Sequence, residues 1–427
     1  MFPARQHLAG LLGLLLAACH HPADTSAPPP SRETPALPSD APAPPARLTP
    51  AQQAIQHRLS EQLQADRPTH RLVLHSGQTV EGQLLAESAR AIRFREPHGY
   101  SGHITASYDR NAIRRIESIP AADFQITDDD ARLAAEFPAF HFRKVPPYSL
   151  VTDESYSEVE RTLRILTELR RQFEDHFAAL HSPPTQPLAA QVVLFAREDA
   201  FREYARRTAP GLAGSAGFFR HADHRLVLLN QLGSRQYTEF QSRLTDRWQR
   251  VAAEPRAQQH LAAWRSHVTL EARSLNERLI RHEGAHQLFH ACGIHSAAGI
   301  EPTWLTEGLA QYCEPTEIGR RHPALAARLL ALQHAATLIP LRELLNHRTA
   351  DGFFDFGQDR VESAYAQSWA LVYWLMQPPR RERFHSLLQH YRQSADFDPD
   401  PAETLARHLG ASVAEIERDW RAFLPRL

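Results

Sequence analysis

The spacing of apolar and polar positions changes along the chain. From about His70 to Ile119 it has period two. Leu72 and Leu74, Val80 and Leu84, Ile92 and Phe94, then Ile104, Ala106 and Tyr108 alternate with polar residues. Alternation puts apolar side chains on one face of a strand, and Ser76-Gly77 and His98-Gly99 mark turns. The pattern predicts four or five short antiparallel strands. From Glu158 to Leu180 the period lengthens to that of a helix, with Val159, Leu163, Leu166, Phe173, Phe177 and Leu180 in one stripe. Gln191 to Ala196 and Arg225 to Leu229 read as buried strands, and residues 323–346 as helix broken at Ile339-Pro340. A helix from about Ser363 to Met376 follows. Leu405, Leu409, Val413, Ile416, Trp420 and Phe423 close the sequence at helical spacing.

These elements predict an α+β fold, mostly helical in its second half with a small mixed sheet. The boundaries they suggest are 49–69 for a short helical segment, 70–120 for a small β module and 138–427 for the main domain. Within that domain 232–270 is a charged helical insertion. The β module looks like a small SH3- or Sm-like barrel. It could bind cell-wall material or a partner, or act as a packing module.

The amino terminus changes the picture. Residues 1–18 carry Arg5 and an apolar run from Leu8 to Ala18, too short to span a bilayer and typical of a signal-peptide core. The run ends Leu16-Ala17-Ala18-Cys19, which resembles the bacterial lipobox. That resemblance implies residues 1–19 as a lipoprotein signal with Cys19 lipidated, and a protein tethered to a membrane surface of the cell envelope. His20 after Cys19 points to the outer membrane. Residues 20–48, rich in Pro, Ala and Ser, read as a disordered tether. A net charge of −1 with no basic run argues against a nucleic-acid partner, and Lys144 is the only lysine. Cys292 and Cys313 are expected to be unbridged buried thiols.

The chemistry concentrates at His282-Glu283-Gly284-Ala285-His286. Residues four apart share one face of a helix, so His282 and His286 can reach one metal ion while Glu283 faces the same cleft as general base. A helix is predicted from the capping pattern Ser274-Leu275-Asn276-Glu277 to a stop at Gly293. In a chain with 25 histidines such a motif arises by chance with a probability of about 0.1, so context decides. The context is Trp304-Leu305-Thr306-Glu307-Gly308-Leu309-Ala310-Gln311-Tyr312. A second helix there would return Glu307 as third ligand, with a fourth position left for water. Gly308 and Ala310 would allow close approach, and Gln311 could accept the other N–H of a ligand histidine. His290 lies about 12 Å along the axis from His282, too far to share the ion. Two imidazoles and a carboxylate suit Zn²⁺.

His282 to His286 together with the W-L-x-E-G-L-A run resemble the gluzincins of the peptidase MA clan. More narrowly, the region from about Pro138 onward resembles bacterial secreted proteins grouped as a domain of unknown function within that clan. Ser215-Ala216-Gly217-Phe218-Phe219, Ile339-Pro340-Leu341 and Tyr365-Ala366-Gln367-Ser368-Trp369-Ala370-Leu371-Val372 support the likeness. The resemblance implies a thermolysin-like catalytic fold, peptide or protein substrates, and one zinc ion on His282, His286 and Glu307. It also implies Glu283 as base and Tyr365 as donor to the oxyanion. Two other readings stay open: an inactive, surface-binding lipoprotein, and a zinc amidase acting on cell-wall material.

Overall fold

The computed structural model describes residues 47–100, 102–180, 190–250, 255–296, 299–347, 353, 356 and 358–427. Cys19 and nearly all of the Pro/Ala-rich segment lie outside the described residues. The described chain is α+β and divides into two compact units. One comprises 47–160 and 190–194, the other 161–180 and 195–427.

The first unit opens with α1 (Pro50–Asp66). Thr49 caps it: its hydroxyl accepts from the Gln52 N–H, and the Gln52 side chain accepts from the Thr49 N–H. Then come β1 (His70–Leu74), β2 (Thr79–Glu87), β3 (Ala91–His98), β4 (Gly102–Asp109) and β5 (Ile113–Ser118). They form an antiparallel sheet in the order β4-β3-β2-β1-β5. Leu72, Ile92, Phe94 and Ile113 form its core. Ile104, predicted to face inward, is 45% exposed. It sits on β4, the last strand in the order, where alternation persists with less to pack against. Beyond the sheet lie α2 (Asp128–Glu136), β6 (His141–Val145), β7 (Tyr148–Thr152) and β8 (Ala190–Phe195). β6 runs antiparallel to β7, and β7 parallel to β8. The lone lysine, Lys144, is buried with its Nζ 2.8 Å from both Asp130 Oδ2 and Ser149 Oγ. A buried ammonium needs such partners.

Helix α3 (Tyr156–His176) begins in the first unit and continues into the second. There follow α4 (Glu198–Thr208), β9 (Gly217–Arg220), β10 (Arg225–Leu229), α5 (Arg235–Arg250) and α6 (Pro255–Ala291). The remainder is α7 (Thr303–Tyr312), α8 (Pro323–His334), α9 (Leu341–Asn346), α10 (Gln358–Leu375), α11 (Arg381–Gln393), α12 (Pro401–Leu409) and α13 (Val413–Phe423). Among the described residues no helix is long and apolar enough to cross a membrane.

α6 carries the His-Glu motif and corrects one expectation. It starts at Pro255, well before the capping pattern at Ser274. The Asn276 Oδ1 accepts from the Gln231 N–H at 2.7 Å and its amide donates to Asn230 Oδ1, so a residue inside the predicted cap pattern lies mid-helix and bonds to another part of the chain. The part of the charged stretch from Pro255 on is therefore continuous with the motif helix. The stop is as expected: Gly293, at φ +61°, turns the chain away.

Two glycines set the helix spacing. A Cβ at Gly284 would lie 2.9 Å from Leu169 Cδ2 and 3.0 Å from Leu166 Cδ2, so the stripe of α3 rests directly on α6 at the motif. A Cβ at Gly308 would lie 2.7 Å from the Ser368 carbonyl oxygen, which lets α7 sit against α10. Around them Trp304, Trp369 and Trp420 are fully buried. Cys292 and Cys313 are buried free thiols, as expected.

Candidate metal centre

α6 presents His282 and His286 one turn apart, and α7 presents Glu307 to them. One ligand atom from each lies within 4.8 Å of the others. His282 Nε2 is 3.3 Å from His286 Nε2 and 3.3 Å from Glu307 Oε2, and His286 Nε2 is 3.8 Å from the same oxygen. All three side chains are largely buried. Two ring nitrogens and a carboxylate oxygen facing one point form a set of electron-pair donors that wants a cation between them. Two nitrogens and one oxygen are a donor set of the kind that suits zinc.

The electrostatics agree with that arrangement. Burial opposes ionisation of Glu307, but hydrogen bonds and charge from His282 and His286 outweigh it and hold its pKa far below the usual carboxylate range. Burial likewise disfavours a charged His282, yet Glu307 and Glu314 push its pKa well above the ordinary histidine value. Glu283 goes the other way. Burial raises its pKa, while the two histidines and a hydrogen bond from the backbone of Phe219, on β9, partly offset the rise. A part-buried carboxylate with a raised pKa beside the ligands is suited to taking and returning a proton.

Glu314 was not anticipated. Its Oε1 is 2.9 Å from His282 Nδ1 and its Oε2 is 3.1 Å from His322 Nε2. Burial opposes its ionisation, and those two hydrogen bonds bring its pKa down to about 2. This corrects the part assigned to Gln311, whose Oε1 is buried without a hydrogen-bond partner among the described residues. Glu314 lies two turns' worth of sequence past Glu307, after α7 has ended. The only signal in the sequence was an acid near a ligand.

Tyr365 is on α10, the helix against which α7 packs. Its ring is half-buried, edge-on to Phe353 with centroids 5.1 Å apart. His290 is not part of the convergent set. Its Nδ1 is 3.0 Å from His221 Nε2, in a second imidazole pair.

Residues 278–398 match the family described as "Protein of unknown function (DUF1570)". The match covers the end of α6 that carries the motif, α7 and α10, and is narrower than the region from Pro138 onward that the sequence suggested. No curated protein matches the chain.

Proposed function

We propose that this chain is a zinc-dependent peptidase of gluzincin type. The observation that carries the proposal is the meeting of His282, His286 and Glu307 within 4.8 Å, with the Glu283 carboxyl close enough to feel the charge of all three. When bound, zinc supplies Lewis acidity to a substrate carbonyl and to water. Glu283 removes the proton from the attacking water and hands it to the leaving amine, so one carboxylate serves both halves of the hydrolysis. Its hydrogen bond from the Phe219 backbone orients it toward the cleft. Tyr365 is the proposed hydrogen-bond donor to the tetrahedral oxyanion.

A gluzincin-like arrangement around the centre and an SH3- or Sm-like barrel for 70–120 belong to the same proposal. The sheet order β4-β3-β2-β1-β5 supports the barrel. Attachment to the envelope through lipidated Cys19 is a further part of the proposal. Replacing Cys19 with Ala should release the protein to the soluble fraction, and continued membrane fractionation would count against that anchor.

The test of activity is cleavage of a mixed peptide library by zinc-loaded protein, with peptidoglycan assayed alongside. Glu283→Gln should keep its metal and lose on the order of 10²- to 10⁴-fold in rate. Wild-type turnover in that variant would remove Glu283 as base. Tyr365→Phe should lower kcat by up to about 100-fold with zinc content unchanged, and unaltered kcat would remove Tyr365 from the reaction.

A further inference from the structure

The segment between α7 and α8 is held from both sides. The Arg281 Nε donates to the Cys313 carbonyl at 2.9 Å, and its second arm donates to Gln172 Oε1 at 3.0 Å. Gln172, on α3, also donates to the Thr316 carbonyl at 2.8 Å and accepts from the Ile318 N–H at 3.0 Å. These bonds flank Glu314 and fix where its carboxyl points.

His322 is the N-cap of α8, and its Nδ1 accepts from the Leu325 N–H at 3.3 Å. A ring nitrogen that accepts carries no proton, so the His322 proton is on Nε2 and is donated to Glu314 Oε2. The other oxygen of Glu314 faces His282 Nδ1. A carboxylate only accepts, so His282 carries its proton on Nδ1. The lone pair of a neutral His282 is then on Nε2, the atom turned toward His286 and Glu307.

We propose that Glu314, held in place by His322, is a positioning residue that fixes His282 in the Nδ1–H form and aims its Nε2 at the ion. The inference rests on the metal reading above only where it concerns affinity; the proton on His282 Nδ1 belongs to the metal-free protein as well, in which Nε2 faces Glu307. Nothing in the H-E-x-x-H spacing specifies this pair. It depends on where the chain turns after α7.

The experiment uses the full chain with Glu314→Gln and His322→Asn. Asn is a good N-cap and keeps the bond to the start of α8 while removing the donation to Glu314. Multiple-bond ¹⁵N–¹H spectra of metal-free protein read the tautomer of each imidazole, and competition against a chelator reads affinity for Zn²⁺ alone. Wild type should show a proton on His282 Nδ1, bonded to Glu314, and on His322 Nε2. In Glu314→Gln the amide NH₂ can donate to the ring, so His282 should lose its Nδ1 proton and zinc affinity should weaken by about 10–100-fold. His322→Asn should move both readings the same way by less. A folded Glu314→Gln that keeps the His282 Nδ1 proton, with zinc affinity within about twofold of wild type rather than 10–100-fold weaker, would overturn the proposal. If Glu314→Gln does not fold, unchanged readings in His322→Asn overturn it instead. A wild type that takes up no zinc contradicts the metal reading, while the tautomers of the metal-free proteins still decide this one.

Discussion

Helix α6 takes part in two imidazole pairs, and they differ in what surrounds them. His282 and His286 have their Nε2 atoms 3.3 Å apart. His290, one turn further along, has its Nδ1 3.0 Å from His221 Nε2. By distance alone either pair could start a metal site. The first has Glu307 within reach of both rings and Glu314 behind one of them. The neighbours acting on His290 besides burial are imidazoles: His295, His221, His286 and His224, and together with burial they push its pKa far down. His282 is pushed up and His290 down on the same helix. The lesson is that nearby carboxylates, rather than the spacing of the rings, make a pair of histidines a place for a cation. The second pair satisfies itself by one ring donating to the other.

The comparison breaks most visibly in a pair of variants. His286→Ala should abolish stoichiometric zinc binding, whereas His290→Ala should leave the metal content at that of wild type. If the two variants lost metal equally, the distinction between the pairs would be wrong. Equilibrium dialysis followed by elemental analysis reads both.

A smaller effect sharpens the electrostatic side. His290 and, next to it, buried His295 are held neutral by burial, with His295 brought down to about 3. Unfolded histidine binds a proton near pH 6.5, so below that pH the unfolded chain binds more protons than the folded one. Stability contributed by these rings is therefore present above about pH 6.5 and is lost as pH falls toward about 3. His295→Phe should flatten the decline of Tm between neutral pH and pH 5, by thermal melts of metal-free protein. A Tm slope identical to wild type would show that His295 is not buried neutral.

The core of the centre was legible because it obeys short rules. Four-residue spacing on a helix places His282 beside His286, and an acid on a following small-residue helix supplies Glu307. The close approach that Gly308 allows was visible as a glycine in an otherwise apolar run. The rest was hidden where tertiary contacts decide. Ser274 to Glu277 satisfied the local pattern for a helix start, but Asn276 bonds to Gln231 and the helix runs through. Gln311 stood one turn from Glu307, at a plausible position for a partner to a ligand histidine. Glu314 takes that part because Arg281 and Gln172 hold the chain after α7, and no periodicity encodes those bonds. Ile104 alternated correctly along β4 and is exposed all the same, because alternation reports a face and not whether something covers it.

α6 and α7 bring three donors within 4.8 Å of one another. The most direct measurement is the zinc content of full-length wild type beside Glu307→Ala, both dialysed against the same low concentration of Zn²⁺. About one ion per wild-type chain and essentially none in the variant are expected, with both proteins folded. Equal zinc in the two, or none in wild type, would contradict the metal reading.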